Sequence, residues 1–202
     1  DAGQRLTEAQ AALGAGLGLG AAVLPMCDEP VRTRVRTGGA WHDFQSFMIR
    51  LGGAAAEFDA VEGVELAGIE AARLTPEAEA AIDNAEAIVI GPSNPIISIG
   101  PILKVAGMKA ALHTSRARVV AVSPIVDGKS VKGPTMGFMR WAGVEPTSAG
   151  VAALYAGTID GLVADGRIDA VTTLETDTLM DDPDARRRVA AETLKFARAL
   201  RR

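Results

Sequence analysis

The stretch AIVIGPSNPIISIGPIL, residues 87–103, decides the fold. Its first four residues, 87–90, form a short apolar run of the kind that makes a buried strand. At Gly91 the run gives way to a loop rich in glycine, proline and serine, with one asparagine. In open α/β sheets, ligands bind outside the carboxyl ends of the strands, where such loops lie. We therefore expect an α/β fold with a ligand site at this loop.

The loop offers short polar side chains and exposed backbone. Ser93, Asn94 and Ser98 carry hydroxyl and amide groups that bond phosphate oxygens. Gly91 and Gly100 have no Cβ, so the backbone there can come close to a ligand. The alternative is an ordinary strand-to-helix turn, because these residue types are common in turns.

Strands and helices alternate along the chain. The apolar runs at 87–90 and 118–122 are typical of strands in a parallel sheet that is covered on both faces. The alternation predicts one doubly wound α/β domain over residues 1–202, with a mainly parallel, Rossmann-like sheet. A half-exposed strand pattern at 31–37 opens a segment that we interpret as a small inserted subdomain, residues 31–70.

Capping signals predict where several helices begin. Thr7, Thr75 and Ser148 are interpreted as N-cap residues, and Asp182-Pro183 opens the last helix. On that last helix the run Arg186-Arg187-Arg188 is interpreted as a solvated face rather than as a phosphate clamp. The sequence shows no linker between the elements and no internal repeat.

Two further patterns are interpreted as structural. The glycines between 14 and 20 follow a helix and precede a strand, which is the reverse of the order in a dinucleotide-binding fingerprint. A predicted helix at 44–51 places Phe44, Phe47, Met48 and Leu51 on one face. We expect this aromatic stripe to pack in the core rather than to bind a ligand.

Composition excludes several classes of protein. The chain is 48% hydrophobic and 23% charged, which fits neither a disordered chain nor a membrane protein. With a net charge of −4, 4% aromatic residues and no basic stripe, a nucleic-acid partner is not expected. Cys27 is the single cysteine of the sequence, which suits a reducing compartment, so a cytoplasmic protein is expected.

Four sequence blocks together resemble the 2-phospholactate transferase family of deazaflavin coenzyme biosynthesis. The similarity runs over essentially the whole chain, and the order and spacing of the blocks fit the family. That family has a further amino-terminal segment with a glycine-rich loop, so we expect this chain to be the carboxyl-terminal part of such a domain. The blocks are PMCDEPVRTRV (25–35), GPSNPIISIGPIL (91–103), SPIVDGKSVKGP (123–134) and GVAALYAGTIDGLVAD (150–165).

The resemblance implies an enzyme. The family reaction moves a phosphorylated three-carbon acid, phosphoenolpyruvate or 2-phospholactate, from a guanosine diphosphate ester to the ribityl hydroxyl of 7,8-didemethyl-8-hydroxy-5-deazariboflavin, and GMP leaves. Such a transfer needs positioned donors, cations and usually Mg²⁺. We therefore expect a Mg²⁺ cofactor, a guanosine diphosphate ester donor, a deazaflavin acceptor and a homodimer. Nothing in the sequence distinguishes the two donor acids.

By the same resemblance, Ser93, Asn94, Ser98 and Gly100 are expected to contact the guanosine nucleotide. Lys129 follows the predicted strand 118–122 and would neutralise one negative charge of a phosphate. The alternative is a solvated loop lysine.

Other predicted site residues lie in the remaining blocks. Gly133 precedes a predicted helix whose free N–H groups offer a second anion site. Asp28 and Arg32 are candidate catalytic residues, with an internal ion pair between them as the alternative. Asp160 is the candidate metal ligand, although Asp-Gly is also a common turn.

One other class of function stays open. A group of proteins with the same general fold binds nucleotide sugars and regulates metabolism without catalysis. Such a regulator would prefer a uridine sugar nucleotide over GDP, so binding preference distinguishes the two hypotheses.

Overall fold

A computed structural model describes residues 3–51, 61–130 and 133–200 of the chain. Helices and strands alternate through these ranges. The helices are α1 (Leu6–Gly16), α2 (Phe44–Leu51), α3 (Pro76–Asp83), α4 (Ile99–Lys104), α5 (Met108–Thr114), α6 (Thr135–Trp141), α7 (Ser148–Leu154) and α8 (Pro183–Ala199). The strands are β1 (Arg32–Thr37), β2 (Ala40–Asp43), β3 (Gly63–Ala67), β4 (Ala87–Ile90), β5 (Arg118–Val122), β6 (Ile125–Val126), β7 (Lys129–Ser130), β8 (Gly161–Ala164) and β9 (Thr172–Glu175).

A four-stranded sheet in the order β4-β5-β8-β9 forms the centre of the fold. Each strand pairs in parallel with its neighbour; in the register, Ile88 lies opposite Val119 and Ala121 opposite Leu162. Helices connect β4 to β5 and β5 to β8. The prediction of an α/β fold with a mainly parallel, doubly wound sheet is confirmed.

Side chains of the central strands alternate between two apolar layers. Val120 and Val163 pack beneath α8 with Val189, which is 2% exposed. On the opposite face Ala121 and Leu162 join the largest core cluster. Because both faces are covered, β5 and β8 read as continuous apolar runs, and each fully buried valine or leucine stabilises the fold by about 1.5–3 kcal/mol.

A second, antiparallel sheet in the order β2-β1-β3 is formed by three strands that lie between residues 32 and 67 of the sequence. Gly38 and Gly39 join β1 to β2 with φ of 56° and 75°, the left-handed conformations that a two-residue hairpin turn requires. This sheet coincides with the predicted insert 31–70. That it is a subdomain of a single domain over 1–202 stays a prediction.

Two predicted helix starts are wrong by one or two residues. The first helix has Arg5 rather than Thr7 at its N-cap position, with no side-chain cap, and the Glu8 carboxylate accepts from the Arg5 backbone N–H. Thr147 rather than Ser148 caps α7, because its hydroxyl oxygen accepts from the Gly150 backbone N–H. The second error comes from two adjacent residues, Thr147 and Ser148, of similar capping ability. The first arises because the Thr7 hydroxyl is used in a bond to Asp28.

Two other helix starts are confirmed. Thr75 caps α3 and accepts from the Ala78 N–H, with proline at the first helical position. Asp182 caps α8 in the same way through the Ala185 N–H. None of the helices in the described ranges has the length and the apolar character needed to cross a bilayer.

Candidate functional site

A pocket of about 770 Å³ lies at the carboxyl edge of the parallel sheet, and we call it the strand-end pocket. Three chain segments that follow strands form most of its wall: those after β4, β5 and β9. Residues of α2 close one side. Its lining residues are Phe44, Met48, Pro92, Ser93, Asn94, Ile97, Ser98, Ser123, Pro124, Val126, Ser130, Gly133, Pro134, Thr135, Thr178, Leu179, Met180, Asp181 and Arg186.

The loop after β4 brings three of its predicted site residues, Ser93, Asn94 and Ser98, to this pocket. Asn94 is only 8% exposed, and its Oδ1 accepts from the backbone N–H groups of Ile96 (2.9 Å) and Ile97 (3.1 Å). The Asn94 side chain therefore holds the loop in shape. Ser93, in contrast, is exposed at the pocket rim.

The fourth predicted residue of this loop, Gly100, does not line the pocket. It lies in α4, where an added Cβ would come within 3.0 Å of the Pro95 carbonyl oxygen. The close approach between backbone segments explains the glycine there. A contact between Gly100 and a ligand stays a prediction.

Hydroxyl groups join the segments of the pocket wall. The Ser123 and Ser148 hydroxyl oxygens lie 2.8 Å apart, and the Ile125 N–H donates to Ser123 Oγ. Asn94 Nδ2 donates to Thr135 Oγ1 at 3.5 Å, which links the loop after β4 to the start of α6. Sequence reasoning missed Ser123 and Thr135, although Ser123 directly follows β5 and could have been found by that position.

Lys129, the predicted cation, and Gly133, which precedes a predicted helix, differ in whether they line the pocket. Lys129 lies in β7, is exposed, and does not line the pocket. Gly133 does line it, with φ at 73°. Between β6 and β7, the backbone N–H of Asp127 donates to the Asp165 carboxylate, which ties the hairpin to the end of β8. A phosphate contact through Lys129 or Gly133 stays a prediction.

The segment between β9 and α8 forms the wall that sequence reasoning missed. Residues 178–181 line the pocket together with Arg186. Arg186 and Arg187 are exposed and Arg188 is half-buried, so the interpretation of the run as a solvated face holds for Arg186 and Arg187, although Arg186 also lines the pocket. Arg187 pairs with Asp184 on the open surface.

The aromatic stripe of α2 has two roles. Phe47 is 2% exposed and packs edge-to-face on Phe138, with ring centroids 6.1 Å apart. Phe44 and Met48 line the strand-end pocket. The prediction of a core stripe is right for Phe47 and incomplete for Phe44 and Met48, because one helix face contacts both the core and the pocket. The side chain of Leu51, the fourth predicted member, lies outside what the structure describes.

The two candidate catalytic residues lie elsewhere. Asp28 and Arg32 line a second pocket of about 670 Å³, which shares no lining residue with the strand-end pocket. The alternative of an Asp28–Arg32 ion pair is wrong, because Asp28 pairs with Arg5 at 2.7 Å. A catalytic role for either residue stays a prediction.

Asp28 also anchors the first helix. Its Oδ1 accepts from both the backbone N–H and the hydroxyl of Thr7, each at 2.9 Å. These bonds, with the Arg5 guanidinium, hold the pKa of the Asp28 carboxyl below its usual range. Arg5 in turn makes two 2.9 Å hydrogen bonds to Glu77 at the start of α3.

The candidate metal ligand, Asp160, is wrongly placed for the strand-end pocket. It precedes β8, so it lies at the amino edge of the parallel sheet, opposite the pocket. Its carboxylate accepts from Arg118 Nη1 at 3.0 Å and from the Val119 N–H at 2.8 Å. In the part of the chain that the structure describes, no three His, Cys, Asp or Glu side chains cluster to hold a metal ion.

Comparison with known proteins assigns the family. The model of the CofD family, 2-phospho-L-lactate transferase, matches residues 1–195. The chain belongs to this family. It is 41% identical to the 2-phospho-L-lactate transferase of Methanosarcina mazei over 165 residues, 82% of this chain and 52% of that protein. The Haloarcula marismortui 2-phospho-L-lactate transferase is 36% identical and covers 96% of this chain and 57% of its own length.

Two further comparisons concern a mycobacterial relative and a solved structure. The phosphoenolpyruvate transferase of Mycobacterium ulcerans is 39% identical over 64% of this chain and 42% of its own length. The chain spans about half the length of the curated relatives it matches. A crystal structure of a Bacillus halodurans protein has a TM-score of 0.63 at 17% identity, covering 94% of this chain and 67% of that one, which shows a shared fold.

The anchoring of α1 predicts a pH-dependent effect of Asp28→Asn. Because the folded-state pKa of Asp28 is lowered, its carboxylate adds stability above its ordinary pKa, and this stability is lost as the pH falls through the folded value. We expect urea unfolding to give a deficit of about 1 kcal/mol for the variant at pH 7, narrowing below about pH 4. In the matched control Asp169→Asn, whose carboxylate is 91% exposed, stability should be unchanged. A deficit that stays constant down to pH 3 would contradict the anchoring role.

The geometry of the loop after β4 predicts that Asn94 and Ser93 respond differently to alanine. Asn94→Ala leaves the Ile96 and Ile97 N–H groups without their acceptor, so we expect a loss of about 2 kcal/mol in the free energy of unfolding. Ser93→Ala, at the exposed rim, should leave unfolding unchanged. Equal midpoints in urea for the two variants would show that the Asn94 side chain does not hold the loop.

Proposed function

We propose that this chain provides the donor-nucleotide site of a transferase. The enzyme would move phosphoenolpyruvate or 2-phospholactate from a guanosine diphosphate ester to the ribityl hydroxyl of a deazaflavin acceptor, with release of GMP. The observation that carries the proposal is the convergence of the 91–103 and 123–134 loops on the strand-end pocket. Both loops are blocks by which the chain resembles the transferase family.

The size and lining of the pocket support a nucleotide ligand. Its volume, about 770 Å³, lies within the range of small-molecule sites, which are mostly apolar with a few convergent polar groups. Phe44 and Met48 offer an apolar wall suited to a flat base. Ser93 and Ser98 offer hydroxyl groups suited to phosphate or ribose oxygens.

The proposed chemistry is a single displacement at phosphorus. The acceptor hydroxyl oxygen forms a bond to the phosphorus that carries the three-carbon acid and gives up its proton. The bond from that phosphorus to the oxygen shared with the guanosine-side phosphate breaks, and GMP leaves with the electron pair. Because such reactions depend on positioning and charge stabilisation, the task of this chain would be to hold the diphosphate in line.

The described residues do not by themselves fit a resident Mg²⁺. Sites for Mg²⁺ usually use one or two carboxylates together with substrate phosphates. Asp181 is the one carboxylate among the described residues that line the strand-end pocket, and Asp160 pairs with Arg118 at the other edge. Mg²⁺ therefore stays a proposal from the resemblance, and the displacement above assigns it no step.

Three further parts of the proposal rest on the resemblance or on composition. The deazaflavin acceptor and a homodimer come from the family alone and concern the whole enzyme, since the chain spans about half the length of its relatives. A cytoplasmic location is supported by the single, buried cysteine, Cys27, whose pKa is raised by burial and by the nearby carboxylates.

The proposal is tested by GMP release. The chain would be incubated with the phosphoenolpyruvate ester or the phospholactate ester of guanosine diphosphate, with Mg²⁺, in the presence and absence of the deazaflavin acceptor. We expect GMP to appear only with acceptor and faster with one ester, which also identifies the donor acid. Binding of a uridine sugar nucleotide in preference to GDP, with no GMP from either ester, would contradict the transferase and favour the regulatory relative.

A further inference from the structure

Three consecutive arginines at the start of α8 have different surroundings. Arg187 pairs with Asp184 at 2.7 Å, and Arg188 lies within ion-pair distance of Asp177 and Glu192. Arg186 has no carboxylate partner among the described residues. It is also the one of the three that lines the strand-end pocket. An arginine without a counter-ion at a pocket wall has its charge available for an anionic ligand.

One hydrogen bond to the backbone positions the Arg186 side chain. Its Nε donates to the Met180 carbonyl oxygen at 3.3 Å. This bond uses one of the five guanidinium donors and leaves the two terminal nitrogens for a ligand. The planar fork of those nitrogens matches the oxygens of a phosphate or a carboxylate.

A buried hydroxyl lies in the same wall. Thr178 lines the pocket and is 3% exposed, yet its Oγ1 has no hydrogen-bond partner among the described residues. Leaving a buried hydroxyl unpaired is unfavourable, so such a group in a native fold calls for an explanation. A ligand oxygen in the pocket would provide the partner that the protein does not.

We propose that Arg186 and Thr178 form an anion subsite of the strand-end pocket, which binds the charged end of the ligand. The shared chemistry is an oxyanion, which a guanosine diphosphate ester carries on its phosphates and again on the carboxylate of its three-carbon acid. The identity of the ligand rests on the proposed function. The subsite itself rests on the uncompensated guanidinium and the unpaired hydroxyl.

This assignment makes Arg186 a specificity-determining residue. Among the described residues that line the pocket, Arg186 is the one cation, so discrimination for a charged ligand over a neutral one depends on it. The loop after β4 contributes neutral groups, which can orient a ligand but cannot neutralise it.

The first test compares Arg186→Gln with the matched control Arg187→Gln. Both changes remove one charge from the same helix turn, but Arg187 lies outside the pocket. Calorimetric titration with GDP, inorganic pyrophosphate and the two esters is the measurement. We expect Arg186→Gln to weaken binding by about 10-fold or more, Arg186→Lys to weaken it less, and Arg187→Gln to match wild type.

The ligands separate the two sources of the oxyanion. Weaker binding of GDP and pyrophosphate would place phosphate at the subsite, whereas weaker binding of the esters alone would place the carboxylate there. Identical affinities for Arg186→Gln and Arg187→Gln with every ligand would overturn the subsite. Binding of pyrophosphate through Arg186, without binding of GDP or either ester, would overturn the proposed function and leave the subsite standing. No binding of any ligand by wild type would overturn both.

The second test separates binding from stability at Thr178. Thr178→Val removes the unpaired hydroxyl at nearly constant volume, so the melting temperature should stay the same or rise while ligand binding weakens. Thr178→Ser keeps the hydroxyl and should retain binding. A lower melting temperature for Thr178→Val with unchanged binding would show that Thr178 has a structural role only.

Discussion

The parallel pairing of β4, β5, β8 and β9 is the constraint on which the rest of the molecule depends. Because neighbouring strands run in the same direction, every strand ends at the same edge, and the segments that follow β4, β5 and β9 meet there. Parallel pairing also requires helices to cover both faces. Gly161 in β8 allows α8 to come close, since a Cβ there would lie 2.7 Å from Phe196 Cε1.

Convergence of loops makes a site only if each loop keeps its shape. Asn94 holds its own loop through two backbone N–H groups and contacts Thr135 at the start of α6. Ser123 and Ser148 join the end of β5 to the start of α7. The buried polar side chains of the wall are thus largely used to hold protein segments together, and the groups left for a ligand are those at the rim and on the β9–α8 segment.

The sequence predicted the central fold well because its signals are local. The bounds of β4 and β5 follow from apolar runs that end at glycine and serine. The residues of the 91–103 loop were found for the same reason. Strand direction also explains why Asp160 is not at the pocket, since a residue before a parallel strand lies at the opposite edge of the sheet.

Long-range partners were beyond sequence reasoning. Asp28 pairs with Arg5, 23 residues earlier, and not with Arg32, its partner in the alternative interpretation. Arg186 reaches the pocket because β9 pairs in parallel with β8 and so ends at the same edge as β4, and no local pattern encodes this pairing. Thr178 gave no signal in the sequence, because an unpaired hydroxyl is recognised only when its surroundings are known.

The most direct test of the central claim is a two-dimensional amide NMR titration of the chain with GDP. If the strand-end pocket is the donor-nucleotide site, the largest shifts will fall in residues 93–98, 123–135 and 178–186, which come from three separate parts of the sequence. Shifts confined to the second pocket around Asp28 and Arg32, or no shifts at all, would contradict the assignment.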